Sequence, residues 1–113
     1  MFGFGKKASA TDITATDLDR RLKAADGLFL VDVREPWEFS QGHIAGSQLI
    51  PLGQLSGQLA DLPRDKTLVA VCRTGNRSSV ATSILQRAGY QALNLKGGVV
   101  DWARAGLPLS GQR

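Results

Sequence analysis

One cysteine among 113 residues leaves that thiol no partner within the chain, so an internal disulfide is excluded. Any reaction that needs a second thiol must take it from another molecule. One histidine, His43, rules out His-rich metal sites, and no metal is expected. Two tryptophans, one tyrosine and four phenylalanines are too few to interleave with basic residues along a nucleic-acid groove. The net charge of +4 is scattered from Lys6 to Arg104, which suits ordinary solubility or a small anionic ligand better than a polyanion. No run approaches the ~20 apolar residues of a spanning helix, so no membrane partner is expected. The opening MFGFGKKASA puts its lysines after its apolar residues, the reverse of a secretory leader, and a cytoplasmic protein is expected.

The length suits one compact core. Residues 1–11 read as a flexible N-terminal tail, 12–109 as the domain and 110–113 as a C-terminal tail. Within the domain, helical and strand signals alternate. Thr14 and Asp17 resemble a capping box ahead of a helix that carries Leu18, Leu22 and Ala25 on one face and ends at Gly27. Leu28 to Val33 is an apolar, β-rich run with the pattern of a strand buried on both faces. Leu49-Ile50-Pro51 gives a shorter extended piece. Leucines 52, 55, 59 and 62 predict an amphipathic helix stopped by Pro63.

Thr67 to Val71 predicts a second buried strand, followed directly by CRTGNRS. From Arg77 a helix with Val80, Ile84, Leu85 and Ala88 inward runs to Gly89. Ala92 to Leu95 is a last strand, Gly97-Gly98 a break, and Val99 to Ala105 a short helix around Trp102. Such alternation implies an α/β fold with a parallel sheet covered on both faces, whose ligand crevice lies beyond the carboxyl ends of the strands.

Cys72 falls at that end, between a strand and a helix N-terminus. There unpaired N–H groups and the helix dipole favour negative charge, and thiolate is the reactive form of cysteine. Arg73 and Arg77 add positive charge. Gly75 can take a positive φ and turn successive amides towards one centre, Asn76 tolerates the same geometry, and Ser78 can cap the helix. The bland alternative is a lone cysteine packed as a small hydrophobe. Loop length separates neighbouring chemistries. The tyrosine-phosphatase signature places its arginine six residues after the cysteine, whereas Arg77 is five after Cys72 and Ser78 is sixth. The smaller ring favours one sulfane sulfur over a tetrahedral oxyanion and leaves an arsenate reductase or phosphatase as the lesser alternative.

Four segments, VDVREPWEF (31–39), GHIAGSQLIPL (42–52), CRTGNRS (72–78) and GGVVDWARAGLP (97–108), together resemble the single-domain rhodanese family, the thiosulfate sulfurtransferases. The resemblance implies a five-stranded parallel sheet and a persulfide on Cys72 in a cradle of amides from Arg73 to Ser78. It places Arg73, Thr74, Asn76 and Arg77 at the substrate entrance. Transfer of a sulfane sulfur from thiosulfate to cyanide or a thiol is expected, with no metal or organic cofactor, and the expected assembly is a monomer or weak homodimer. The alternative partner is a protein that donates persulfide to this chain as a relay module. Cys72 and Arg77 are the catalytic candidates, Arg77 as an electrostatic helper, and Asp32 and Arg34 are supporting residues that form an ion pair or hold the loop. His43 reads as a structural hydrogen-bonder, and Trp37 and Trp102 as core or rim packing. Ser47 and Leu49 depart from the family's usual Ala and Asn before Ile-Pro.

Overall fold

The computed structural model describes residues 11–111. Residues 1–10 and 112–113 of the expected tails lie outside the described part. Five strands, β1 (Asp12–Ile13), β2 (Leu28–Asp32), β3 (Gln48–Leu49), β4 (Thr67–Val71) and β5 (Ala92–Leu95), form one parallel sheet in the order β1-β5-β4-β2-β3. Five helices accompany them: α1 (Ala15–Lys23), α2 (Pro36–Ser40), α3 (Leu52–Leu55), α4 (Asn76–Arg87) and α5 (Gly98–Arg104). The α/β fold and the five-stranded parallel sheet expected from the sequence are both present.

The two-residue period of a strand explains the layering. Along β4 and just past it, Leu68, Ala70 and Cys72 point into a cluster with Leu55, Ala81 and Leu85, on the face covered by α3 and α4. Val69 and Val71 point the other way, joining Leu18, Val99 and Trp102 from α1 and α5. Both faces of the central strand are therefore apolar, as its uninterrupted hydrophobic run required.

Several local expectations are corrected. Helix α1 ends at Lys23; Ala25 is exposed with φ +53°, because the chain leaves the helix through a left-handed turn before Gly27. The leucine stretch is not one helix: α3 gives way to a 3-10 segment, Ser56–Asp61. Val80 is 53% exposed. Helix α4 instead buries Ser78, Ala81, Thr82 and Leu85, a stripe set by the need to bring Ser78 under the loop. Strand β1, with two residues, and helix α2, with five, are too short to show in the hydrophobic pattern. Ser110 is tied to the domain by a two-bond backbone bridge with His43 (2.9 and 2.7 Å). Among the described residues no helix is long and apolar enough to cross a membrane.

Candidate active site

The carboxyl end of β4 is the centre of the site. Gly75, with φ +103°, starts α4 in the left-handed conformation, where a Cβ would lie 3.2 Å from the Gly97 nitrogen. The turn folds the loop back over the cysteine. As a result the N–H groups of Gly75 and Ser78 donate to Cys72 Sγ at 3.1 and 3.3 Å. The Ser78 hydroxyl stands 3.2 Å from the same sulfur. The loop is anchored from behind by α5: the N–H groups of Val99 and Val100 donate to the carbonyls of Cys72 and Arg73 at 3.0 and 3.1 Å. Gly98 allows that approach, since a Cβ there would come within 2.4 Å of the Cys72 carbonyl oxygen.

Burial pushes the Cys72 thiol up, but the Ser78 hydroxyl and the N–H groups of Ser78, Gly75 and Thr74 outweigh it and hold the thiol below its ordinary value. Cys72 is 1% exposed, yet its sulfur faces hydrogen-bond donors rather than only hydrocarbon. That separates it from a cysteine packed as a small hydrophobe. Arg73, Thr74 and Asn76 are exposed at the rim of the loop.

Ser78 does not cap α4 with its side chain. The cap position is Gly75, and the fully buried Ser78 hydroxyl turns inward to Sγ and to Asn94 Oδ1, 2.5 Å away. Arg77 is not a free cation beside the sulfur. Its guanidinium donates to both carboxylate oxygens of Glu38 on α2, at 2.7 and 2.8 Å. The Arg77 hydrogen bonds hold the Glu38 carboxyl down to about 2, against the desolvation that opposes them, with help from the Glu35 N–H. Sequence reasoning missed Glu38. The signal was present: Glu35-Pro36 followed by Glu38 is a helix start, with Glu38 in the third helical position reaching back to the Glu35 amide.

Asp32 and Arg34 form a buried pair at the end of β2. Arg34 Nε and Nη2 donate to the two Asp32 oxygens at 3.0 and 2.9 Å, and Nη2 also donates to the Gly42 carbonyl at 2.8 Å. They hold the β2 end and the segment ahead of His43, and their hydrogen bonds do not reach Sγ. His43 stacks on Phe39 with ring centroids 3.7 Å apart, and its Nδ1 lies 2.9 Å from the Phe39 carbonyl oxygen. Ser47 donates to the Ile44 carbonyl at 2.7 Å, closing the turn where the chain departs from the family pattern. Trp102 is buried, with its indole N–H on the Pro108 carbonyl, whereas Trp37 is 64% exposed. Trp37, Arg34, Arg73, Val100 and Leu109 line an open groove of about 260 Å³ beside the loop. Among the described residues no cluster of acidic, histidine or cysteine side chains could hold a metal.

The family model described as "Rhodanese-like domain" matches residues 14–105. A sulfurtransferase of Allochromatium vinosum is 37% identical over 99 residues, covering 87% of this chain and 92% of the relative. The probable adenylyltransferase/sulfurtransferase MoeZ of Mycobacterium tuberculosis is 43% identical over 100 residues, covering 86% of this chain; the match spans 26% of that longer protein. A crystal structure of a rhodanese-related protein from Thermoplasma volcanium superposes with a TM-score of 0.83 at 35% identity, covering 88% of this chain and 97% of the other.

Proposed function

The chain belongs to the rhodanese-like domain family, and from that premise we propose that it is a sulfurtransferase that carries sulfane sulfur as a persulfide on Cys72. The observation that carries this reading is the set of donors, two main-chain N–H groups and the Ser78 hydroxyl, around a sulfur at the strand-to-helix junction. The sulfurtransferase from Allochromatium vinosum, matched over nearly its whole length, supports it.

The thiolate Sγ attacks the outer sulfur of thiosulfate; a new S–S bond forms, the old one breaks, and sulfite leaves with the bonding pair. The outer sulfur, now about 2 Å beyond Sγ, carries the negative charge. There the remaining loop amides and the dipole of α4 stabilise it, as they would a developing anion. Cyanide or a thiolate then attacks the outer sulfur, and Cys72 leaves as thiolate. No metal or organic cofactor enters either step. Arg77 acts from the start of α4, its charge shared with Glu38, while Arg73, Thr74 and Asn76 form the entrance. Asp32 and Arg34 support the site by fixing the neighbouring strand end.

A relay role, with persulfide received from a partner protein, is favoured by the open groove beside the loop, with its exposed Trp37 and Arg73. It is also favoured by MoeZ, in which the matched segment is part of a longer protein. Mass spectrometry after thiosulfate treatment tests the carrier itself. About one added sulfur atom on Cys72, absent in Cys72→Ala, is the expected result. An unmodified cysteine after exposure to thiosulfate and to a protein persulfide would remove the proposal. Relative turnover with thiosulfate and with the protein persulfide then distinguishes enzyme from relay.

A further inference from the structure

Behind Cys72 and Ser78 stand two side chains, Asn94 and Asp12, that the sulfur chemistry does not call for. Asp12 on β1 and Asn94 on β5 are partners in the sheet register, and Asn94 shares the α4-facing side of β5 with Ala92. Asn94 is 9% exposed. Its Nδ2 donates to Asp12 Oδ1 at 3.3 Å, and its Oδ1 lies 2.5 Å from Ser78 Oγ. A carboxylate only accepts, so Asp12 fixes which end of the amide faces Ser78. A carbonyl oxygen at 2.5 Å from a hydroxyl requires the hydroxyl proton between them. Yet a serine has one proton, and Cys72 Sγ stands 3.2 Å from the same oxygen.

The two demands are exclusive. With a neutral thiol the chain is satisfied in one direction, S–H to Ser78 and Ser78 O–H to Asn94. A thiolate, already held by the N–H groups of Gly75 and Ser78, draws the Ser78 proton as well, and when that proton turns to sulfur two oxygen lone pairs face each other at short range. We propose that Asn94, oriented by Asp12, is a positioning residue that competes with Cys72 for the Ser78 proton and so limits how much thiolate the site holds. The inference rests on the reading of Cys72 as the sulfur carrier. Such a brake suits that role, because intrinsic nucleophilicity falls as a thiol's pKa falls, and a thiol near ambient pH attacks fastest. Once Cys72 is a persulfide its inner sulfur is neutral, and the proton returns to Asn94 without conflict.

The other charged groups near the site are the Arg77–Glu38 pair, the Asp32–Arg34 pair and exposed Arg73; among the described residues none is hydrogen-bonded to Sγ. The test is the pH midpoint for alkylation of Cys72 in the full chain, with no sulfur donor present. Asn94→Ala is expected to lower the midpoint by roughly one pH unit, the size of one charge-assisted hydrogen bond. In a Ser78→Ala background the same change should move it by less than about a third of that. If Asn94→Ala does not fold, Asp12→Asn serves, since the amide can then turn over. Its downward shift should shrink in Ser78→Ala to the part due to lost charge. An unchanged or raised midpoint, or a shift undiminished without Ser78, overturns the proposal. Absence of persulfide on Cys72 would strike the carrier reading instead and leave these midpoints as they are.

Discussion

Replacing Glu38 by Gln keeps the shape of the side chain and removes the charge that holds Arg77. The Glu38 carboxyl is lowered from 4.5 to about 2. At about 1.36 kcal/mol per pH unit this corresponds to about 3 kcal/mol at neutral pH for the charged carboxylate with all its partners, Arg77 first among them. The Glu38 side chain is 9% exposed but that of Arg77 is 38% exposed, so solvent screening reduces the expected loss to about 1–2 kcal/mol. In a domain of this size that is a fall of about 5–10 °C in Tm. The folded carboxyl is depressed, so its contribution is present above the unfolded value of 4.5 and is lost as pH falls through about 2. Urea unfolding of wild type and Glu38→Gln at a series of pH values reads this directly. The gap should be full at pH 7 and reduced by more than half at about pH 3. A gap that stays constant across that range, or is missing at neutral pH, refutes the ion pair as the source.

Gly75→Ala forces an L side chain into φ +103° and towards the Gly97 nitrogen; a loss of about 1–2 kcal/mol in urea unfolding is expected, with sulfur transfer reduced further because the Gly75 amide moves off the sulfur. Arg34→Ala leaves Asp32 buried without its partner, for about 3–5 kcal/mol, whereas the joint change Asp32→Leu, Arg34→Met should recover most of that by the same measurement. Trp37→Ala, at an exposed position, should change stability by less than about 0.5 kcal/mol. If the groove receives protein partners, the same variant lowers transfer to or from a protein while leaving turnover of thiosulfate with cyanide unchanged.

The sequence disclosed what repeats over several residues. The buried run at 67–71 announced a central strand, and a cysteine directly after it, followed by a glycine, announced the loop. Thr14 caps α1, its hydroxyl accepting from the Asp17 N–H at 3.2 Å, but the reciprocal half of the expected capping box is replaced by an Asp17–Arg20 ion pair. Features that depend on distant partners stayed hidden. Strand β1 has only two residues and exists because it pairs with β5, 82 positions away at the Asp12 to Asn94 contact. Helix α2 is one turn long, too short for a periodic pattern. Ser78 offered a cap by its type and its place near a helix start, but Gly75 took the cap position, and the buried hydroxyl found the sulfur and Asn94 instead. Glu38 is 39 residues from Arg77, so no local spacing could join them.

Main-chain amides holding a negative sulfur at the end of β4 underlie the whole reading, and titrating Cys72 tests it most directly. The ultraviolet absorbance of the thiolate, followed against pH with Cys72→Ala as the blank, should give a midpoint below that of a free cysteine model in the same buffer. A midpoint equal to or above the model would mean that burial outweighs the amides, and the carrier mechanism would have to be abandoned.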